Sequence, residues 1–308
     1  MRPNFICPGA ARSATTALYY LLIQHPQVFL PSIKETRFFS RDYEKGLSWY
    51  ERQYYADVKD ETAIGDISPV YLIDERCPER IYETLGSKVR LIFMLRNPVE
   101  RAYSHYCMLR HHQFEDLSFE KAIVRNERDR IAKSLKNYNH EYGFQYLKGS
   151  SYSQTIQRYL RYFQPDRIKY VVFEEFISDM KHHLFDILSF IGLHDRYEFE
   201  LDVYTNPRTV AGFSKINQLF YRNSLIQKAR DLIQLKTGWK TQSLLKKLKT
   251  ALLAEHMSQA PAMDENVRKH LYNYFEGETM RLEVLLGKDL SMWKNNCSFS
   301  QPIFTQFQ

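Results

Sequence analysis

The pattern of apolar and polar positions changes character near residue 193. Before that point, short apolar runs alternate with segments whose apolar residues recur every three or four positions. The clearest run, Val89–Leu95, is continuously apolar apart from Arg90, as in strands that are buried on both faces of a parallel sheet. Strands that alternate with helices indicate βαβ units. The pattern therefore predicts an α/β fold with a P-loop-like central parallel sheet and helices on both faces.

The same periodicities assign the elements of this region. Besides Val89–Leu95, strands are expected at Phe5–Cys7, Ala63–Ile67 and Ile168–Glu175, with a short strand-like piece before Lys34. Helices are expected after Pro98 and around Phe119, and over the segments Thr15–Gln24, Asp42–Tyr55, Pro78–Leu85, Ser150–Phe163 and Phe176–Ile191.

Beyond residue 193 the alternation stops. A connector leads to helical stretches at about 214–236 and 241–256, and a last helix is expected at Asp264–Leu286, ended by Gly287. We expect one domain over residues 1–308, with an α/β nucleotide-binding core at 1–200 and a connector and helical segment at 201–294.

Charge and composition narrow the partners. The net charge of +7 and a pI near 9.0 favour anions such as a nucleotide, an acidic glycan, nucleic acid or a membrane surface. No run approaches the roughly 18 apolar residues of a membrane span, and no signal peptide is evident. The four cysteines are scattered without metal-ligand spacing, so we expect reduced thiols, no metal and a cytoplasmic protein.

The candidate chemistry begins in the stretch from Asn4 to Leu22. A strand, a turn at Pro8-Gly9, a loop of small residues with Arg12, and a helix opening at Thr15 follow one another. A helix N-terminus offers unpaired N–H groups and partial positive charge. Together with Arg12, it predicts an anion site, most naturally for phosphate.

A nucleotide kinase or NTPase is the first interpretation of such a loop. A Walker A loop has the pattern GxxxxGK[ST], whereas the stretch from Gly9 to Thr16 lacks the second glycine and the lysine. Asp66 in AIGDIS is only a weak candidate for a magnesium ligand. An ATPase is therefore disfavoured.

The loop resembles that of sulfotransferases that use 3′-phosphoadenylyl sulfate (PAPS). The resemblance is carried by Arg12, Ser13, Ala14, Thr15 and Thr16, and it implies that these residues bind the 5′-phosphosulfate. Arginine stands where lysine is usual, and Ala14 stands where glycine is usual. Arginine keeps the cation and adds a fork for two oxygens, but it does not readily give up a proton.

A second motif lies after the strand Val89–Leu95. Arg96-Asn97-Pro98 is followed by Ser104 on the next helix. This resembles the family's second signature and implies that Arg96 and Ser104 bind the 3′-phosphate of the donor. A guanidinium at a strand end and a hydroxyl two turns into a helix can converge on one phosphate.

A third motif, Lys34-Glu35 in KETRFF, resembles the carbohydrate (heparan sulfate type) sulfotransferases. The resemblance implies that Glu35 is the base that takes the acceptor's proton, which a carboxylate within hydrogen-bond reach can accept. A surface Lys-Glu pair is the plain alternative, and His105 is the other candidate base. Lys34 is expected to assume the charge or proton role of the missing lysine. The chemistry requires no metal.

Two weaker regions complete the candidate site. Arg208 and Lys215 lie where the family places a late loop over the nucleotide, and the resemblance makes them candidate ligands. Arg222–Lys249 contains basic amphipathic helical stretches that suit an acidic acceptor or a membrane surface, or simply pack with a solvated basic face.

Taken together, the motifs predict sulfuryl transfer from PAPS to a hydroxyl or amine, most naturally on a carbohydrate, with adenosine 3′,5′-bisphosphate (PAP) as product and no nucleic-acid partner. A nucleotide kinase with a degenerate P-loop and a non-catalytic polyanion-binding protein remain the alternatives.

Overall fold

The computed structural model describes residues 1–112, 114–124, 143–194, 197–201, 209–211, 257–259 and 262–294. Five parallel strands form its central sheet in the order β2-β3-β1-β4-β5. They are β1 (Phe5–Gly9), β2 (Val28–Phe29), β3 (Ala63–Ile67), β4 (Arg90–Leu95) and β5 (Ile168–Val172). The predicted α/β class with a parallel sheet is confirmed.

Burial on both faces explains the continuous apolar runs. Every residue of β1 and β3 is buried, as is every residue of β4 except Arg90. Phe5 packs flat over Gly65 of the neighbouring strand, where a Cβ would lie 2.1 Å from the ring. The sheet is thus enclosed between two layers of helices, as parallel sheets require.

Strand β1 extends further than the sequence suggested. Pro8 and Gly9 were expected to form a turn, but both belong to the strand. The pairing of β1 with β4 shifts register between Ile6 and Gly9. Proline has no N–H to donate to the sheet, so an irregularity in pairing accommodates it, and the turn prediction is wrong.

Helices cover both faces and precede or follow each strand. They are α1 (Thr15–Leu22), α2 (Leu47–Tyr54), α3 (Cys77–Leu85), α4 (Pro98–His111), α5 (Phe119–Val124), α6 (Tyr152–Leu160), α7 (Phe173–Ser178), α8 (Met180–Ile191) and α9 (Glu265–Leu286). Short 3₁₀ segments occur at Tyr43–Lys45, Pro69–Leu72, Lys148–Ser150, Pro165–Arg167 and Ser291–Trp293.

Two predicted helices are divided in the structure. The helix expected at Asp42–Tyr55 is a π-helical turn at Phe38–Asp42, a 3₁₀ turn, and α2, separated by Gly46 with φ +80°. The expected strand Ile168–Glu175 ends at Val172. The helix expected at Phe176–Ile191 is divided into α7 and α8. Asp179 between them caps α8 by accepting from His182 N at 3.1 Å.

The last helix is confirmed, and it ends the described part of the chain together with a 3₁₀ turn. Asp264 caps its N-terminus, accepting from Asn266 N at 2.9 Å, and Gly287 ends it in the left-handed conformation. Buried Glu278 accepts from Ser153 N at 2.6 Å and Ser153 Oγ at 2.7 Å, which joins α9 to α6.

Other predictions for the second half of the chain have different outcomes. The helical stretches at 214–236 and 241–256 lie outside the described residues. An antiparallel pair, β6 (Thr209–Ala211) with β7 (Met257–Gln259), was not expected. Among the described helices, none combines the length and apolar character that crossing a membrane requires. Cys7, Cys77 and Cys107 are buried free thiols.

Candidate functional site

The candidate site lies at the carboxyl edge of the sheet, where parallel α/β folds bind ligands. The segment between β1 and α1, here called the phosphate loop (Ala10–Ala14), begins with Ala10 N donating to Met94 O of β4 at 2.6 Å. Gly9 allows a close approach, since a Cβ there would lie 2.9 Å from both Leu72 Cβ and Pro69 O.

The phosphate loop contains two left-handed residues that are not glycine. Arg12 has φ +74° and Ala14 has φ +62°. Ala14 is the N-cap of α1, and no side chain caps this helix terminus. The left-handed backbone explains why glycine suits position 14, because only glycine adopts it without steric cost. Because α1 begins directly after the phosphate loop, its N-terminus lies at the carboxyl end of β1.

Three of the residues that the sequence selected meet at this loop. Arg12 Nε donates to Ser104 Oγ at 3.0 Å, and Arg96 Nη1 donates to the carbonyl oxygen of Arg12 at 3.1 Å. The end of β4 and the second turn of α4 are thus both joined to Arg12 of the phosphate loop. Two guanidinium groups and a buried hydroxyl form a cationic corner that can accommodate a dianion.

Arg96 is itself held in a buried position. Its guanidinium lies over the ring of Phe173 at 4.4 Å, and Tyr152 OH donates to its carbonyl oxygen at 3.0 Å. Asn97 next to it caps α4, accepting from Val99 N at 3.0 Å. These contacts orient the strand end, so that little conformational freedom remains to be lost on binding.

Sequence reasoning missed Arg101, which also holds the phosphate loop. This buried side chain donates to Ala11 O at 3.2 Å, Gln145 O at 3.0 Å and Tyr146 O at 3.3 Å. Gly149 leaves room for the guanidinium, because a Cβ there would lie 2.6 Å from Nη1. Arg101 lies about one helical turn before Ser104 on α4, which is the only sequence signal that could have identified it.

Two of the predicted residues, Lys34 and Glu35, form a triad of charges with Arg37, which the sequence analysis did not select. Lys34 Nζ lies 3.0 Å from one oxygen of Glu35, and Arg37 Nη2 lies 3.3 Å from the other. The Glu35 side chain retains 35% of its exposure. Its surroundings tend to raise the pKa of Glu35 by desolvation, but the two cations outweigh this effect and lower that pKa to about 2.

The charge triad and the phosphate loop share one edge of the sheet. Burial raises the pKa of the Cys7 thiol in β1 to about 12, and the positive charge of Lys34 opposes part of that rise. Ser68 N donates to Cys7 O at 3.1 Å, and Arg37 N donates to Ser68 Oγ at 3.4 Å. The segment that contains Glu35 is therefore attached to the strand that leads into the loop.

These arrangements match a known family. The family model of the sulfotransferase domain matches residues 2–212. The chain belongs to the sulfotransferase family. The resemblance that the motifs indicated is thereby confirmed.

Curated relatives support this family assignment. The chain is 28% identical over 206 residues to heparan sulfate glucosamine 3-O-sulfotransferase 5 of Homo sapiens, covering 66% of this chain and 57% of the relative. It is 26% identical over 303 residues to bifunctional heparan sulfate N-deacetylase/N-sulfotransferase 4 of Mus musculus, covering 94% and 31%. Membrane-associated sulfotransferase kil1 of Dictyostelium discoideum is 38% identical over 106 residues, covering 34% and 22%.

The chain spans less than two thirds of the length of each of these curated relatives. Among solved structures, a sulfotransferase from Alicyclobacillus acidocaldarius superimposes with a TM-score of 0.68 at 24% identity. The match covers 95% of this chain and 99% of that one. This likeness supports the sulfotransferase fold.

The remaining predicted site residues of this sulfotransferase-family chain have different positions. His105 is buried, with Nε2 2.6 Å from Gly143 O and its ring against Tyr146. Those contacts attach it to the segment that precedes α6. Arg208 and Lys215 lie outside the described residues. Among the residues that the structure describes, no group of three or more His, Cys, Asp or Glu side chains could hold a metal ion.

Proposed function

We propose that this chain transfers a sulfuryl group from PAPS to a hydroxyl or amine of a carbohydrate and releases PAP. The observation that carries the proposal is the hydrogen-bonded corner of Arg12, Ser104 and Arg96 at the phosphate loop. Two separate motifs, more than 80 residues apart, supply these side chains. A nucleotide with phosphate groups at both ends of its ribose needs such paired anion sites.

The loop fits a phosphate or phosphosulfate group. Ser13 Oγ is buried and has no hydrogen-bond partner among the described residues, which leaves it available to an oxygen of the ligand. The uncapped N-terminus of α1 and the hydroxyls of Thr15 and Thr16 add further donors beside it. The bound donor would supply the electrophilic sulfur and a stable nucleotide leaving group.

The contacts refine the roles that the motifs implied. Arg12 was expected at the 5′-phosphosulfate, yet its guanidinium is directed at Ser104, which the resemblance assigns to the 3′-phosphate. We assign Arg12 to the boundary between the two ends, with Arg96 and Ser104 on the 3′-phosphate. The backbone of Ser13–Thr16 and Lys34 then stabilise the charge that develops on the leaving oxygen.

Glu35 is the proposed base. As the acceptor oxygen or nitrogen forms its bond to sulfur, the bond from sulfur to the departing phosphate oxygen breaks, and the acceptor's proton passes to Glu35. With Lys34 and Arg37 both paired to it, Glu35 is ionised but weakly basic. When Lys34 turns to the donor, one of these cations leaves, and the basicity of Glu35 rises.

The carbohydrate acceptor rests on the relatives and on the chain's charge. Two relatives are named for heparan sulfate, and this chain carries a net charge of +7, which suits an acidic glycan. Contact of the basic segment Arg222–Lys249 with an acidic acceptor or a membrane surface stays a prediction, as do the cytoplasmic location and the single-domain organisation.

The proposal is tested by titrating PAP and measuring thermal unfolding. A ligand at 100 times its Kd adds about 2.7 kcal/mol of stability, which is a shift of several degrees. We expect the shift with PAP, a much smaller one with Arg96→Ala, and none with ATP and Mg²⁺. Labelled PAPS assayed against glycans, phenols and lipids then identifies the acceptor. No shift at millimolar PAP would contradict the proposal, and a shift with ATP and Mg²⁺ alone would favour a kinase.

A further inference from the structure

Asp66 in β3 is a fully buried carboxylate whose purpose the proposed chemistry does not explain. The sequence suggested at most a magnesium ligand. In the structure, Ser68 Oγ donates to its Oδ1 at 2.7 Å. Its Oδ2 accepts from Thr36 Oγ1 at 2.6 Å, Tyr50 OH at 2.7 Å and Tyr71 OH at 2.9 Å. Four hydroxyls therefore occupy the positions where a cation would bind.

The same hydroxyls hold a stretch of backbone. Because an ionised carboxylate only accepts, each hydroxyl directs its single proton to Asp66 and keeps its lone pairs for other donors. Three consecutive backbone amides use them: Arg37 N donates to Ser68 Oγ at 3.4 Å, Phe38 N to Thr36 Oγ1 at 3.3 Å, and Phe39 N to Tyr71 OH at 3.5 Å. The carboxylate thus orients the hydroxyls that accept from the backbone amides of residues 37–39.

The backbone held in this way is strained and directly follows Glu35. Arg37 has φ +56°, a left-handed conformation that side chains other than glycine adopt at a cost. Thr36 is fully buried, whereas its neighbours Glu35 and Arg37 reach the surface and pair with each other. Anchoring Thr36 therefore determines the direction in which Glu35 leaves the chain.

Aromatic packing supports the same layer. The ring of Phe38 stacks on Tyr50 with centroids 4.1 Å apart, and Phe39 packs edge-on against Tyr71 at 5.5 Å. Burial raises the pKa of Asp66, and the four hydroxyls oppose that rise by stabilising its ionised form. Charge, hydroxyls and rings thus form one buried unit beneath Lys34-Glu35.

We propose that Asp66 is a positioning residue for Glu35, acting through Thr36 and the hydroxyls of Ser68 and Tyr71. The inference rests on the proposed role of Glu35 as the base. A base that must meet the acceptor's proton within hydrogen-bond reach loses rate steeply when its segment shifts, and a displacement of 1 Å costs on the order of 100-fold. In the proposed function, PAP is held by the phosphate loop and α4, whereas this layer holds the backbone of residues 37–39.

The test compares three substitutions that leave Asp66 itself intact. Thr36→Val removes the hydroxyl that joins Asp66 to the segment and keeps the shape. We expect kcat to fall at least about tenfold, with the Kd for PAP unchanged within about twofold, the usual margin of context effects. Thr36→Ser restores the hydroxyl and should return kcat close to that of the unmodified protein.

Tyr55→Phe is the matched control. Its hydroxyl is equally buried and bonds Tyr50 OH at 3.0 Å and Gly65 O at 3.2 Å, but it does not reach residues 36–39. We expect it to lower the melting temperature while kcat stays the same. If the layer had a purely structural role, Thr36→Val and Tyr55→Phe would change kcat and the melting temperature alike. That result would overturn the inference.

A second readout does not require activity. Hydrogen exchange followed by mass spectrometry should show faster exchange, by about fivefold or more, in a peptide covering residues 34–40 of Thr36→Val. The peptide covering 9–16 should not change, and Tyr55→Phe should leave both unchanged. Unaltered exchange at 34–40 would refute the positioning role. An unmodified protein that transfers no sulfuryl group would instead contradict the proposed function, and the exchange result would still decide this inference.

Discussion

Ala14 carries a side chain at a backbone position that favours glycine. Its φ of +62° is left-handed, and an L-residue adopts that conformation at a cost of roughly 1–2 kcal/mol. We expect Ala14→Gly to stabilise the protein by about 0.5–1 kcal/mol, because relief of strain exceeds the entropy that glycine adds to the unfolded chain. Urea denaturation measures the difference.

Ala17→Gly provides the control for this change. Ala17 lies within α1, where glycine lacks any such advantage and should destabilise the protein by about 1 kcal/mol. The two substitutions lie three residues apart and should therefore change the free energy of unfolding in opposite directions. If both destabilised equally, the phosphate loop would not be strained at Ala14.

Glu35 predicts a pH dependence with a definite sign. Its pKa is about 2 in the folded protein and near 4.5 in a model peptide, so folding favours the ionised form. The stability that Glu35 contributes is therefore fully present above pH 4.5 and is lost as the pH falls toward 2. We expect the difference in unfolding free energy between the unmodified protein and Glu35→Gln to shrink over this interval.

Removal of one cation should narrow this interval. Arg37→Ala leaves only Lys34 beside Glu35, so the folded-state pKa of Glu35 rises. The loss of stability still begins near pH 4.5, but it ends at a higher pH and is smaller in total. Denaturation curves collected between pH 2 and 7 for the three proteins provide the comparison. Coincident profiles for Arg37→Ala and the unmodified protein would contradict the pairing seen here.

At the scale of single residues, the sequence indicated the candidate ligand-binding residues but not the residues that hold them in position. Arg12, Arg96 and Ser104 could be selected because each stands in a motif that follows a strand and resembles a signature of the sulfotransferase family. Arg101 could not, because one arginine on a helix resembles any other until its three carbonyl partners are known. The surroundings of Asp66 could not be predicted for the same reason, because the hydroxyls that surround it come from distant segments.

At the scale of elements, α4 is the support of the phosphate loop. Arg101→Met removes the donor to Ala11, Gln145 and Tyr146, three carbonyls from two separate segments. We expect a loss of roughly 2–4 kcal/mol in unfolding free energy, because buried acceptors remain without their partner. PAP binding measured by calorimetry should weaken as well, since the loop loses its anchor.

Arg158→Met is the matched control for this prediction. Arg158 on α6 pairs with Glu75 at 3.1 Å, but that glutamate is largely exposed. Exposed ion pairs contribute about 0–1 kcal/mol, so stability and PAP affinity should change little. Equal losses of stability and PAP affinity in the two variants would indicate that the buried hydrogen bonds of Arg101 do not specifically support the phosphate loop.

Most element boundaries could be predicted from local sequence signals, and each failure has an identifiable physical cause. Strand β4 and helix α9 were predicted closely because a continuous apolar run and a terminal Gly287 mark them. The region from Phe38 to Tyr55 was not, since Gly46 interrupts it and it begins with a π-helical turn in which Phe38 stacks on Tyr50. Periodicity does not register tertiary packing.

At the scale of the whole molecule, the last described residues close the fold over the Arg96 corner. Trp293 is buried, and its Nε1 donates to Glu174 Oε2 at 2.9 Å. The other oxygen of Glu174 accepts from Asn97 N at 3.0 Å. Trp293→Phe keeps an aromatic side chain but removes this donor and leaves a small cavity. We expect a loss of about 1–3 kcal/mol, because a half-buried carboxylate loses one partner and the core loses packing.

Met292→Ala serves as the comparison, because this neighbour is 37% exposed and exposed positions usually change stability by about 0.5 kcal/mol or less. Thermal unfolding of both variants measures the contrast. A larger effect from Met292→Ala than from Trp293→Phe would mean that the hydrogen bond to Glu174 does not matter.

The order of the strands is the global feature that the sequence did not provide. Alternation of strands and helices indicated a parallel sheet, but it contains no information on which strands become neighbours. The order β2-β3-β1-β4-β5 places β1 at the centre, between two strands that are distant in sequence. That placement brings the phosphate loop next to Arg96, so the convergence of the two motifs depends on topology.

The central position of β1 has a consequence during synthesis on the ribosome. The two partners of β1 are β3, which begins at Ala63, and β4, which begins at Arg90. Both lie far along the chain from Gly9, where β1 ends. With translation at about 5–20 residues per second, roughly 4–16 seconds pass before β4 begins to emerge. Until β3 has emerged, roughly 3–12 seconds after β1, the apolar nascent strand has unpaired N–H and C=O groups on both edges. The edge that later pairs with β4 stays unpaired for the whole interval. We therefore expect the strand that leads into the phosphate loop to be a chaperone-binding segment of the nascent chain.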